Sequence, residues 1–311
     1  MKIMITGGAG FIGSHLCDEF VRTNNQVIVI TRSTTSLDRI SHLKDKITLE
    51  RADVTDYDDL GRIIAKHSPE VIIHLAGETS HSKSFENPLY DLDVNTKSTL
   101  YILEKIKQLN LKCRFILGST FIVIGRPQEL PVTEQSVCNP TTIYGANRLA
   151  SEVYCKIYHN VYGIDAITFR ITNSFGPREQ FIPSKNAINF LIHKAFKKEP
   201  IPIFDKGNFF KDVVYVSDVV SAISTIMEKG KPGDLYWISS GNKTWFYDLG
   251  TWLEELTGTK VQYVESPQYT KKTDVGNFVV DNSKLKSLGW SIQTPVKDGI
   301  KKTLDYFAKL G

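Results

Sequence analysis

Cysteine is scarce in this chain, and the four that occur (Cys17, Cys113, Cys138, Cys155) fall at no metal-ligand spacing. Free or buried thiols in a reducing cytoplasm are the expectation. The seven histidines form no ligand cluster either, so metal catalysis has no support. No run of 18 apolar residues occurs, so no membrane span is expected. The first residues lead straight into a strand, without the basic, apolar and cleavage regions of a signal peptide, and a cytoplasmic protein is expected. A net charge of +4 is too mild for a nucleic-acid partner and fits an anionic small molecule. No internal repeat or low-complexity segment is visible. What remains is 311 residues, 41% hydrophobic and 23% charged, the balance of a globular protein with a sizeable core. That length allows one large α/β unit or two coupled ones.

Short apolar runs at Lys2–Thr6, Gln26–Thr31, Ile47–Arg51, Val71–Leu75, Arg114–Leu117 and Ala166–Arg170 alternate with helix-length stretches. The stretches are Ile12–Thr23, Tyr57–Lys66, Val94–Gln108 and Tyr144–Val161. Strands apolar on both sides, alternating with helices, predict a parallel sheet covered on both faces. After about Asn173 the pattern becomes irregular, with helices expected at Asn186–Lys198, Val216–Glu228, Phe246–Thr257 and Pro295–Leu310 and short strands between. This second part is expected to be a smaller domain closing over the first.

The first strand runs into Gly7-Gly8-Ala9-Gly10-Phe11-Ile12-Gly13 and then an amphipathic helix. Gly7 suits the tight turn, Gly10 a close approach of backbone to a diphosphate, and Gly13 close packing of helix on strand. The free N–H groups of the helix start, at Phe11 and Ile12, favour the anion. A nicotinamide dinucleotide is the expected cofactor. The second strand should end at its adenosine ribose, where an acidic residue selects NAD. Here Thr31-Arg32-Ser33 stands instead, a cation among hydroxyls that suits a 2′-phosphate and favours NADP over NAD. Asp53-Val54 is expected at the adenine amine, and Leu75-Ala76-Gly77, after His74, along the other half of the cofactor.

Tyr144 and Arg148 stand at i and i+4 of a helix, so both side chains face one site. A fixed cation lowers the pKa of a nearby phenol and makes it a better base. The strand Arg114–Leu117 ends in Gly118-Ser119-Thr120, where a hydroxyl can bridge a substrate oxygen and the phenol.

GGAGFIGSHL at 7–16, HLAG at 74–77, Asn95, the ST…VIG run at 119–125 and YGANR at 144–148 occur in that order. FRITNSFGP at 169–177, KDVVYVSDVV at 211–220 and DNSKLKSLGW at 281–290 follow. With these motifs the chain resembles an extended short-chain dehydrogenase/reductase of the nucleotide-sugar epimerase/dehydratase branch. The resemblance implies a Rossmann-type doubly wound parallel sheet with a smaller C-terminal α/β substrate-binding domain. The expected split is 1–172 and 173–311, with segments interleaved. It further implies that Tyr144 is the general acid/base, that Thr120 is its hydroxyl partner, and that Asn95 belongs to the cofactor site. Arg148 holds the place where the family normally has a lysine that lowers the tyrosine pKa and hydrogen-bonds the nicotinamide ribose. Arginine keeps the charge but is larger and planar.

The implied chemistry is proton transfer by Tyr144 coupled to hydride transfer between a nucleotide-linked sugar and the nicotinamide. Dehydratases of this branch carry an Asp-Glu pair directly after the Ser/Thr; Phe121 and Ile122 stand there and cannot exchange protons, which disfavours dehydration. NADPH-dependent reduction of a 4-keto sugar is favoured over 4-epimerisation on the strength of Arg32. A non-catalytic dinucleotide-binding regulator is the alternative that Arg148 leaves open. On the substrate side, Asn173 matches the family's diphosphate-contacting Asn. Lys211 and Lys271 stand where arginines commonly hold phosphates, and Arg178 is a further candidate. Ser80 and His81 lie on a polar loop expected beside the reacting sugar. Phe210 or Tyr215 could stack on a base, but an apolar stripe such as Phe209–Val216 is more often a buried strand, which is the favoured expectation. A homodimer through Val94–Gln108 and Tyr144–Val161 is implied by the same resemblance.

Overall fold

The computed structural model describes residues 1–179, 187–266 and 274–309. The six apolar runs expected as strands form β1 (Lys2–Thr6), β2 (Gln26–Thr31), β3 (Ile47–Arg51), β4 (Val71–His74), β5 (Arg114–Thr120) and β6 (Ala166–Ile171). Further on come β7 (Asn173–Phe175), β8 (Ile201–Phe204), β9 (Phe210–Lys211), β10 (Val213–Tyr215), β11 (Leu235–Ile238), β12 (Thr244–Trp245) and β13 (Val261–Val264). The main sheet is parallel, in the order β11-β6-β5-β4-β1-β2-β3. From β1 the chain builds outward through β2 and β3, then returns to place β4, β5 and β6 on the other side. The order therefore reverses between β1 and β4, and the crevice beyond their C-terminal ends is where such sheets take a ligand.

Both faces of the sheet are covered. Helices α1 (Phe11–Arg22) and α8 (Val216–Lys229) share one core with it, around Ile3, Ile5, Leu16, Phe20, Val29 and Ile223. Helices α2 (Tyr57–His67), α5 (Ser98–Gln108) and α6 (Ile143–Tyr162) share the other, around Met4, Ile28, Ile72, Ile102 and Phe115. Fully buried side chains such as Ile3, Met4 and Ile5 alternate between the two cores, and each contributes roughly 1.5–3 kcal/mol. A one-residue slip of β1 would exchange its two faces, so the register that aims the loops is firmly set. Two short helices, α3 (His81–Glu86) and α4 (Pro88–Leu92), and one π-helical turn at Asp93–Lys97 lead into α5.

The boundary expected at 172/173 is crossed more than once. β11 is hydrogen-bonded to β6 in the main sheet, and α8 packs on α1. Neither placement is visible in the local pattern, because β11 is only four residues long and earns its position from β6 rather than from its own periodicity. The remaining segments form the smaller lobe. Among the described residues it has three two-stranded sheets (β7 with β10, β9 with β12, β8 with β13), the helices α7 (Ala187–Phe196) and α9 (Phe246–Thr257), and a helix at Val296–Ala308. Asn186, expected to begin α7, lies outside the described residues, and the helix stops at Phe196 rather than Lys198. Asp212, between β9 and β10, ties this lobe together. Its carboxylate accepts from Ser240 N (2.8 Å), Ser240 Oγ (2.9 Å), Gly241 N (3.1 Å), Val280 N (3.2 Å) and Thr172 Oγ1 (3.4 Å).

Candidate active site

At the crevice, Gly7 takes φ +73°, and a Cβ there would lie 3.0 Å from Ala76 N. A Cβ on Gly13 would lie 2.3 Å from Gly7 O, so only glycine lets α1 start this close to the turn. Gly10 caps α1 without a side chain, and its N–H donates to Gly7 O at 2.9 Å. The N–H groups at the start of α1, from Phe11 and Ile12 onward, therefore have no side-chain cap and suit an anion. Phe11 also packs against the core of the smaller lobe.

Thr31 is buried at the end of β2, and the exposed Arg32 donates to the Tyr90 hydroxyl at 3.0 Å. Arg51 was missed by sequence reasoning. It is the β3 residue in register with Thr31, and its Nη1 donates to the carbonyls of Arg32 (2.7 Å), Thr35 (3.1 Å) and Ser33 (3.5 Å). A second guanidinium thus stands beneath the same loop. Asp53 accepts from Thr55 N and Oγ1 at 3.0 and 2.8 Å, shaping its own turn, while Val54 is buried. After β4, Leu75 N donates to Thr6 O and Ala76 N to Thr6 Oγ1, both at 3.2 Å. His74 sits between Thr6 Oγ1 (2.7 Å) and Ser98 Oγ (3.1 Å), and burial, helped by the charge of Arg148, drives its pKa down to about 3. It is a neutral structural imidazole.

Thr142 caps α6 by accepting from Gly145 N at 3.0 Å, which fixes the first turn from which Tyr144 projects. Tyr144 and Arg148 are both buried, and Thr120 ends β5 beside them. Arg148 Nη2 donates to Gly118 O. Burial raises the Tyr144 pKa, while first the Arg148 charge and then hydrogen bonding by Thr120 pull it down. The cation acts in the expected direction, but desolvation outweighs it. The His81 ring lies on Tyr144, with centroids 5.8 Å apart and planes 22° apart, and its partial burial lowers its own pKa. Ser80 caps α3, and its N–H with that of Thr79 is held by Glu78 Oε1, each at 3.0 Å. Phe121 and Ile122 enter an apolar cluster with Trp237 and Phe278, whose ring is 5.2 Å from that of Phe121.

Beside Gly77, buried polar atoms converge without partners. A Cβ on Gly77 would lie 2.5 Å from Asn95 Oδ1 and 3.7 Å from Arg148 Nη1. Asn95 Oδ1, Arg148 Nε and Arg148 Nη1 have no hydrogen-bond partner, although Asn95 Nδ2 donates to Glu78 O at 3.0 Å. Donors and an acceptor around a cradle that a side chain would fill suit a group bearing hydroxyls.

The expected substrate-side residues that the structure describes are engaged within the protein. Asn173 Nδ2 donates to Asp212 O at 3.1 Å. Lys211 is buried rather than solvated, with its ammonium on Asp274 Oδ1 (2.6 Å) and Gly276 O (2.7 Å). Arg178, at φ +68°, reaches back to α1, where it pairs with Asp18 at 2.6 Å and donates to Ser14 O at 3.3 Å. That engagement ties the smaller lobe to the glycine-turn helix. Phe210 and Tyr215 are buried, Phe210 against Trp245 and Tyr215 against Phe175. Lys271 lies outside the described residues. Among the described residues, no group of His, Cys, Asp and Glu could hold a metal, and no helix is long and apolar enough to cross a membrane.

A doubly wound sheet with a glycine turn at its switch point, and a Thr/Tyr pair with a cation beside it, defines a dinucleotide-dependent oxidoreductase of the short-chain type. Residues 4–303 match the model of the GDP-mannose 4,6-dehydratase family, and the chain belongs to that family, within the extended nucleotide-sugar epimerase/dehydratase enzymes. The UDP-glucose 4-epimerase of Mycolicibacterium smegmatis is 28% identical over 313 residues, 99% of this chain and 98% of its own. The structure of a UDP-glucose 4-epimerase with UDP-glucose from Thermotoga maritima superposes with a TM-score of 0.92 at 30% identity, covering 100% and 99% of the two chains. A UDP-glucuronic acid 4-epimerase from Bacillus cereus, in complex with UDP-glucuronic acid and NAD, gives 0.86 at 25% identity over 100% of both. Relatives also include dTDP-glucose 4,6-dehydratases, so family membership does not itself disfavour dehydration.

Proposed function

We propose that the chain is a nicotinamide-dependent nucleotide-sugar 4-epimerase, with Tyr144 and Thr120 as its proton-handling pair. The observation that carries this is the apolar packing of Phe121 and Ile122 directly after Thr120. The chemistry left is proton transfer at a single hydroxyl, with no second acid or base placed there for elimination. Full-length similarity to UDP-hexose 4-epimerases supports the same reading. A bound nicotinamide supplies hydride acceptance and return. The glycine turn suits its diphosphate, and Gly77, Asn95 and Arg148 suit its nicotinamide ribose. Tyr144 takes the proton from the sugar hydroxyl and returns it after the ketone has turned its other face. Thr120 orients that hydroxyl, and Arg148 opposes the rise in the phenol's pKa that burial causes. Asn173 and Lys211 are proposed on the nucleotide-diphosphate side.

Incubating the protein with UDP-glucose or UDP-galactose and following the sugar protons by NMR tests this. Interconversion without net cofactor oxidation is the expected result. Consumption of NADPH with a 4-keto sugar, and no interconversion, would favour the reductase reading instead. That second reading draws on one feature, the Arg32 and Arg51 pair beneath the ribose loop, which also supports NADP over NAD. Arg32→Ala is expected to weaken NADPH binding about tenfold and leave NADH binding nearly unchanged, as measured by fluorescence titration. Tighter binding of NADH than of NADPH by the unmodified protein would defeat the NADP preference.

A homodimer is proposed through α6, where Val153, Ile157 and Val161, four residues apart, are 48%, 42% and 64% exposed. Such a stripe suits the seam of a helix–helix contact. Sedimentation velocity should show a dimer that Ile157→Glu dissociates; a monomeric unmodified chain contradicts it.

A further inference from the structure

Asp91, on α4, carries a carboxylate that no role above accounts for. It is 1% exposed, and its Oδ1 accepts from Asn147 Nδ2 at 2.7 Å, so its direct partner is a neutral amide. Its Oδ2 is buried without a partner. Burial raises the pKa of this carboxyl, and a nearby positive charge works against that rise. Arg148 follows Asn147 on α6 and shares the Gly77 cradle with Asn95, and its charge pulls the Asp91 pKa down after the amides of Asn147 and Asn95 have done so. Arg148 is 4% exposed and likewise has buried nitrogens without partners. A lysine in that place could shed its proton to relieve burial; a guanidinium cannot. The other acids near it are engaged. Glu152 is paired with Arg170 at 2.6 Å, and Glu78 holds the N–H groups of Thr79 and Ser80 and lies 3.5 Å from Lys83. The π-helical turn that follows α4 brings Asn95 to the same cradle, and such turns recur at functional sites.

We propose that Asp91 is the buried counter-charge of Arg148, a positioning residue that sets how strongly the guanidinium acts on Tyr144 and on the nicotinamide end of the cofactor. This rests on the reading that Arg148 serves Tyr144 and the nicotinamide ribose. The groups facing Tyr144 are Arg148, Thr120, Asp91 and the His81 ring; those facing Asp91 are Asn147, Asn95, Glu78 and Arg148. Removing the negative charge leaves the guanidinium uncompensated. The phenolate is then favoured, and the cationic ring of an oxidised nicotinamide is disfavoured relative to the neutral reduced ring.

Asp91→Asn tests this without any sugar substrate, because the amide keeps the shape and an acceptor for Asn147. The Tyr144 step is isolated as the difference in phenolate absorbance between each protein and its Tyr144→Phe counterpart. It is expected to move to lower pH by about one unit. The ratio of dissociation constants for the oxidised over the reduced dinucleotide is expected to rise roughly tenfold. A Tyr144 step that stays in place or moves upward overturns the proposal, and so does an unchanged ratio. If the Asn variant does not fold, Asp91→Ser removes the same charge with a smaller side chain and is read in the same two ways. A protein that binds neither dinucleotide would instead refute the oxidoreductase reading, before Asp91 is brought into question.

Discussion

Replacing Tyr144 by phenylalanine is expected to lower turnover of a nucleotide sugar about 10²–10⁴-fold, the usual contribution of a positioned acid–base group. The melting temperature should hold, because the change removes one hydroxyl and keeps the ring that stacks on His81 and packs with Ile122 and Val123. Steady-state kinetics beside a thermal melt checks both halves, and unchanged turnover would remove Tyr144 from the reaction. The same residue sets a pH dependence. Burial raises the phenol's pKa above its ordinary value of 10.0, so the base form is scarce at neutral pH and grows as pH rises. Oxidation of the sugar hydroxyl should therefore accelerate toward alkaline pH, and Tyr144→Phe should flatten that limb.

Asp212→Ala is expected to destabilise the protein by about 4 kcal/mol or more, read from urea unfolding, since each buried donor left without an acceptor costs roughly 1–3 kcal/mol. Three backbone N–H groups, from Ser240, Gly241 and Val280, lose their acceptor together. Burial pushes this carboxyl up to about 6 from 3.8 despite its donors. A raised folded-state pKa gives stability that is complete below 3.8 and lost as pH rises through 6. Between pH 5 and 7 the loss amounts to about 1 kcal/mol, which Asp212→Asn should abolish. The difference between the two proteins isolates it from His74, whose depressed pKa works in the opposite direction. Equal stability of Asp212→Ala and the parent would mean that the convergence of donors carries little weight.

Features with a local signature were readable in the sequence. The glycine turn is one, because a tight turn and a close helix start impose themselves on consecutive residues. The i, i+4 spacing of Tyr144 and Arg148 is another, and α9 spans the expected Phe246–Thr257. Partnerships made over long sequence separation were not readable. Arg178 meets Ser14 across 164 residues, and Lys211 meets Asp274 across 63. No periodicity encodes either contact. Arg51 became visible only through strand register, which places it against Thr31. Asp91 gave no signal, since one acid in a polar stretch looks like solvent-facing charge until α4 and α6 enclose it.

β11 has a consequence for synthesis. A nascent chain that has emerged only to residue 172 can assemble six strands, with β6 at the open edge. Until Leu235–Ile238 arrives, that edge offers unpaired N–H and C=O groups flanked by Ile167 and Phe169, both buried in the finished molecule. Such a border invites pairing with a neighbouring chain. Truncation between the two points should thus yield aggregating material rather than a free-standing dinucleotide module, and translation pauses before residue 238 would lengthen the vulnerable interval.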